Sequence, residues 1–148
     1  MKCKFKKEVI ILLGHGSPEK YAKKVIISLK KKLSKYFKKK NVIIYHAFLQ
    51  FNKPSLNSCL QKVLNSTFDI PAEGEARQRR QSLKIIILPV FISHGRHTLH
   101  DIPKVINEFK KKYNGVFIKL ALPLGSDDLM AELLNKRIST CLEVDINA

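Results

Sequence analysis

A chain of 148 residues that is 45% apolar and lacks tryptophan has enough length and hydrophobicity for one domain with a buried core, which argues against disorder. No apolar run approaches the ~18 residues that a membrane-spanning helix requires, and three widely spaced cysteines with no paired partner argue against a disulfide framework or a structural zinc site. The formal charge of +16 is concentrated, because residues 1–40 hold fourteen lysines and two acids. Such a segment either attracts a polyanion (nucleic acid, acidic lipid or a small molecule with many carboxylates) or forms a solvated helix face.

The basic start "MKCKFKKE" followed by apolar residues has the outline of a signal peptide, but the apolar stretch is only five residues, Val9 to Leu13, and no small-x-small cleavage site follows. It reads as the first strand, "EVIILLG" (8–14), ended by Gly14. Ser17-Pro18 then reads as a helix N-cap followed by proline at the first helical position. Val25, Ile26, Leu29, Leu33, Tyr36 and Phe37 recur every three to four residues, with lysines on the other faces. "NVIIYHAFL" (41–49) reads as a second strand, and Pro54-Ser55 opens a helix through Leu56, Leu60, Val63 and Leu64. Residues 69–82, polar and aperiodic, read as a mobile surface loop. "LKIIILPVFI" (83–92) is the third strand, and a helix opening between Asp101 and Pro103 carries Val105, Ile106 and Phe109. "VFIKLALPL" (116–124) is the fourth strand, and Ser126 with Asp127 and Asp128 caps the last helix. Residues 1–141 are expected to form one α/β domain, with 142–148 a frayed tail.

Strands that alternate with helices, and that are continuously apolar, predict a parallel sheet covered on both faces. The expected architecture is a three-layer α/β/α fold with four strands in the order 2-1-3-4. Sites in such sheets lie beyond the carboxyl ends of the strands, where the strand order reverses, here between strands one and three. His15 follows the first strand directly, and His94, His97 and His100 follow the third. The topology thus sets His15 and His97 on opposite walls of one crevice. His46, inside the second strand, reads as structural.

Neutral imidazoles suit borderline divalent metals. With no HExxH, cysteine pair or third carboxylate ligand, the arrangement fits a metal held briefly better than a permanent zinc. "GHGS" (14–17) is expected to offer backbone N–H groups to an anion at a helix N-terminus, although it lacks the length and lysine of a P-loop. Ser17 lacks the GxSxG elbow of a hydrolase nucleophile.

In order along the chain, "LLGHGS", "AFLQFNKPSL", "LPVFISHGRHTLHDIP" and "PLGSDDLMAELLNKRI" resemble the small, single-domain form of the sirohydrochlorin chelatase family. The resemblance spans about four-fifths of the chain, with 67–82 and the tail outside it. It implies a flavodoxin-like chelatase fold and a class II chelatase, a lyase that works without ATP. The reaction inserts cobalt, iron or nickel into sirohydrochlorin, a tetrapyrrole with eight carboxylates. The products would feed cobalamin, siroheme or a nickel cofactor. It also implies a homodimer and a metal that is substrate, with no permanent cofactor. The metal ligands would be His15 and His97. Gly14, Gly16, Ser17, Gln50, Ser93, His94, Gly95 and Arg96 would contact substrate. Apart from the resemblance, the unpaired cysteines suit reduced thiols in the cytoplasm, and the short apolar runs predict no membrane partner. The absence of RRM, KH and helix-turn-helix patterns argues against nucleic acid.

The chain departs from the family pattern in places. Gln50 stands where many members have glutamate, and His100 stands where an acid is common, so His100 is the candidate proton acceptor. His94 resembles nickel-type members, and the 69–82 loop is long, with Arg77, Arg79 and Arg80 in it. The competing reading is a basic, non-enzymatic module that binds nucleic acid or another polyanion. It accounts for the lysines but not the histidines.

Overall fold

Strand β1 (Lys7–Gly14) runs through the middle of the molecule, and its unbroken apolar sequence is explained by burial from both sides. Val9, Ile11 and Leu13 point to one face of the sheet and Leu12 to the other, and all four are inaccessible to solvent. The structure is a computed structural model that describes residues 7–38, 42–67, 83–92, 95 and 100–144, the side chains of 67 and 142–144 apart. In chain order, β1 is followed by α1 (Lys20–Tyr36), β2 (Val42–Phe48), α2 (Leu56–Thr67), β3 (Leu83–Pro89), α3 (Ile102–Lys112), β4 (Phe117–Leu120) and α4 (Asp128–Val144).

All four strands are parallel and their order is β2-β1-β3-β4, as the alternation of elements predicts. Right-handed crossovers then dictate which helix covers which face. α2 and α3 lie on one side, where Leu60, Val63, Ile106 and Phe109 join Val9, Ile11, Ile85 and Ile87 in the larger core. α1 lies on the other, where Ile26 packs with Leu12, Ile44 and Phe48. Each fully buried leucine or isoleucine contributes about 1.5–3 kcal/mol relative to exposure, so the larger core carries most of the stability. Only Ile26 of α1 is fully buried, with Leu29, Leu33 and Phe37 half-buried beside it. The lysines therefore stay in solvent.

Element ends differ from the sequence expectation in three places. α1 opens at Lys20, not directly after Ser17, and Glu19 occupies its cap position without a side-chain cap. The reason is local: Ser17 Oγ accepts a hydrogen bond from the Glu19 N–H at 3.1 Å, forming a turn that delays the helix. Of the three residues expected to cap and charge the start of α4, Asp127 supplies the cap, its Oδ1 accepting from the Leu129 N–H at 3.0 Å. β3 and β4 end at Pro89 and Leu120, short of 92 and 124. Beyond them the chain continues to pair, with the Val90 N–H donating to the Leu13 carbonyl and the Leu124 and Gly125 N–H groups donating to Phe91 and Ile92. By contrast Ser55 caps α2 as expected, through the Ser58 N–H at 3.2 Å.

His46 is half-buried on the edge strand β2, with its ring 5.8 Å from that of Phe48. Burial, with help from Lys30, Lys23 and Lys62, holds its pKa below the ordinary 6.5, which suits a neutral structural residue. Residues 69–82 lie outside the described residues. Of 142–148, the first three belong to α4 and the remainder lie outside. Among the described residues no helix is long and apolar enough to cross a membrane.

Candidate functional site at the carboxyl ends of the strands

His15 is the first residue after β1 and is exposed. Its Nδ1 lies 3.1 Å from the Gly16 carbonyl oxygen. A carbonyl only accepts, so Nδ1 carries the proton in this contact, and in the neutral ring Nε2 then bears the lone pair. Nε2 is the atom that could ligate a metal. The ring meets Phe91 edge-on, with centroids 6.3 Å apart. Phe91 follows β3, so this contact joins the two loops that flank the reversal of strand order.

On its other side His15 is held by the turn after β2. The Leu49 and Gln50 N–H groups donate to the carbonyls of Gly14 and His15, which extends the β1–β2 ladder past the strands. Asn52 folds back so that its N–H reaches the Gln50 carbonyl at 2.6 Å, and its side-chain Oδ1 accepts the Ser17 N–H at 2.9 Å. Between these two turns sits Gly16, at φ +90°, where a Cβ would overlap the Gln50 carbonyl oxygen. Only glycine fits there. Gly14 is confined differently, because a Cβ would press on Ile26 at 2.9 Å and on Phe48 at 3.2 Å.

These bonds change the expected role of "GHGS". The Ser17 N–H is already taken by Asn52, and α1 begins three residues later, so the turn is not the first turn of a helix. The turn interlocks with the loop after β2 and so positions His15.

The structure brings His15, Gly14, Gly16, Ser17 and Gln50 together. Gly95 is exposed on the chain between β3 and α3, and His100 is exposed two residues before α3 begins. Ser93, His94, Arg96 and His97 lie outside the described residues. Among the described residues no cluster of three or more His, Cys, Asp or Glu side chains could hold a metal. A cavity of about 240 Å³ between α2 and α3, lined by Asn57, Gln61, Glu108 and Lys112 among others, contains none of the candidate residues.

Sequence reasoning missed Asn52 and Phe91, which orient the histidine, and an apolar rim at the same end of the sheet. Phe51, Ile92 and Leu122, just past β2, β3 and β4, are 66, 70 and 77% exposed. The available signal was apolar residues in loops directly after strands, where turns are usually polar.

A model of the CbiX family matches residues 9–141 of the chain. A sirohydrochlorin cobaltochelatase of Sulfurisphaera tokodaii is 31% identical over 133 residues, covering 90% of this chain and 92% of the relative. The crystal structure of a putative cobalamin biosynthesis CbiX protein from Marinobacter aquaeolei is similar with a TM-score of 0.66 at 23% identity, covering 92% and 98% of the two chains. The cobalt complex of the sirohydrochlorin chelatase SirB from Bacillus subtilis is similar with a TM-score of 0.74 at 19% identity, over 90% of this chain and 50% of that one. With the parallel 2-1-3-4 sheet and the histidine at its switch point, these matches show that the chain belongs to the CbiX family, the sirohydrochlorin chelatases.

Proposed function

We propose that this protein inserts a divalent metal into sirohydrochlorin without ATP, and that His15 is one of the groups that receives the metal. The observation that carries the reading is the locked imidazole of His15 at the switch point, with Nδ1 engaged by Gly16 and the ring against Phe91. A single positioned imidazole binds a hydrated divalent ion weakly and exchanges it quickly, as a metal that is substrate requires. His97 is proposed as the second ligand. The reaction forms metal–nitrogen bonds as water leaves the ion, and two pyrrole N–H protons depart, so the charge of the product core balances. His100 is proposed to take up a proton, a role that an imidazole nitrogen can fill and the Gln50 amide cannot.

The rim of Phe51, Ile92 and Leu122 suits the flat apolar body of a macrocycle, while the lysines suit its carboxylates. The proposed substrate metals are cobalt, iron or nickel, with cobalt favoured by the names of the curated relatives. The proposed setting is the cytoplasmic synthesis of cobalamin or siroheme, with a homodimer as the working unit.

Protein, sirohydrochlorin and Co²⁺, Ni²⁺ or Fe²⁺ mixed anaerobically test the reading through the tetrapyrrole absorption spectrum. The wild type accelerates the spectral change for at least one metal. His15→Ala retains its circular dichroism spectrum and loses at least about tenfold in rate, on the order of one positioned catalytic group. A His15→Ala enzyme with wild-type turnover overturns the assignment. Salt-sensitive RNA binding without any effect on the tetrapyrrole spectrum would instead support the basic-module reading.

A further inference from the structure

The turn after β2 holds one residue in a strained conformation. The Asn52 N–H donates to the Gln50 carbonyl at 2.6 Å, so three residues close a γ-turn with Phe51 at its apex. Phe51 stands there at φ +60°, and among the described residues it alone has a positive φ without being glycine. For a bulky side chain that conformation is an outlier, and glycine would adopt it without strain.

Packing does not offset the strain. The Phe51 ring is 66% exposed and belongs to neither core cluster. Nor does the turn need the ring. The Gln50 N–H donates to the His15 carbonyl at 3.0 Å, Asn52 Oδ1 accepts the Ser17 N–H at 2.9 Å, and the Phe48 N–H donates to the Pro54 carbonyl at 2.9 Å. Each of these bonds is made by backbone atoms or by Asn52. An aromatic side chain stabilises a fold chiefly by being buried, and this one is left in water. Strained residues that the surrounding bonds hold in place cluster at ligand contacts.

We propose that Phe51 is a stacking platform for one peripheral ring of the tetrapyrrole, and that the γ-turn fixes this platform relative to His15. Phe51 is one peptide unit from Gln50, which is bonded to His15, so the platform and the histidine belong to one rigid unit. A phenyl group covers about one five-membered ring, which leaves the central nitrogens open to a metal. Lys53, on the same turn, is exposed and suits a carboxylate at the macrocycle's margin. The identity of the ligand rests on the chelatase reading, whereas the role of the ring rests on the turn.

The test titrates the full chain with metal-free sirohydrochlorin, anaerobically and by fluorescence, and measures metal insertion and melting temperature on the same samples. Phe51→Gly removes the ring and the strain together. It should keep the circular dichroism spectrum, melt no lower than the wild type, and bind sirohydrochlorin at least about tenfold more weakly. KM should rise by a similar factor while kcat changes less, as for a contact made equally in the ground and transition states. Phe51→Tyr keeps the ring in the same turn and should recover most of the affinity, whereas Phe51→Leu, apolar but not flat, should recover little. Unchanged affinity in Phe51→Gly, a fall in its melting temperature, or full affinity in Phe51→Leu overturns the stacking role. Ring-dependent affinity in a protein that metallates nothing supports the stacking role and removes the chelatase reading alone. A wild type that binds no sirohydrochlorin overturns both.

Discussion

Gly16 shows how one residue without a side chain holds the candidate site together. Its φ of +90° lies where an L-residue is strained by about 1–2 kcal/mol, and its Cβ position is filled by the Gln50 carbonyl. Gly16→Ala should therefore lower the melting temperature by roughly 5 °C or more and depress metal insertion, because the turn that carries His15 must shift. Gly95→Ala is the control for stability: a Cβ there meets nothing within 4 Å, and the melting temperature should be unchanged. Equal effects at both glycines, by calorimetry, would contradict the interlock. The cysteines separate by environment in the same way. Cys59 is buried in the larger core, and burial pushes its thiol up to about 11, whereas Cys141 is exposed. Iodoacetamide at pH 8 should label Cys141 in the native protein and Cys59 only after denaturation, as read by peptide mass spectrometry. Rapid native labelling of Cys59 would mean that α2 does not pack as described.

Among the elements, β2 is an edge strand, and edge strands need protection against pairing with other chains. α1 shields its second face, and His46 is the titratable group in that seam. Burial and the surrounding lysines lower its pKa, so the folded protein prefers the neutral ring. The stability this contributes is complete above pH 6.5, the ordinary value. Below it the unfolded chain binds a proton that the folded chain resists, and stability falls until the lower folded pKa is passed. Melting temperatures should thus decline as pH drops below 6.5, and His46→Gln should flatten that slope. An identical slope in the variant would assign the pH dependence to other groups. α4 offers the contrasting case of an element whose local signals are in order, with an acid cap and an amphipathic stripe, yet whose apolar side chains stay exposed among the described residues.

At the level of the whole molecule, α1 carries seven lysines and no acid, and it starts a few residues past His15. A field of one sign beside a site raises the encounter rate of an oppositely charged substrate. kcat/KM for sirohydrochlorin should therefore fall severalfold as salt rises from about 0.05 to 0.5 M, where the screening length shrinks from beyond 10 Å to a few ångströms, with kcat nearly constant. Replacing Lys20 and Lys24 with glutamine should reduce that salt dependence. A salt-independent kcat/KM would leave the lysines as a solvated face only.

The sequence by itself determined the strands, their parallel order and the end of the sheet where His15 stands. Those features follow from local periodicity and from the handedness of crossovers, both of which act over short stretches of chain. "EVIILLG" had to be a strand buried on both faces, and a histidine directly after it had to lie at the switch point. The partners of that histidine were not legible. Asn52 reaches Ser17 across 35 residues, and Phe91 meets His15 across the crevice, contacts that no spacing rule encodes. The start of α1 also escaped, because Ser17 can either cap a helix or close a turn with Glu19, and the grip of Asn52 on its N–H favours the turn. The stripe of α4 was readable, but periodicity states only which face of a helix is apolar. Whether anything in the same chain covers that face depends on where the preceding turn leaves the sheet, and only the tertiary structure decides that.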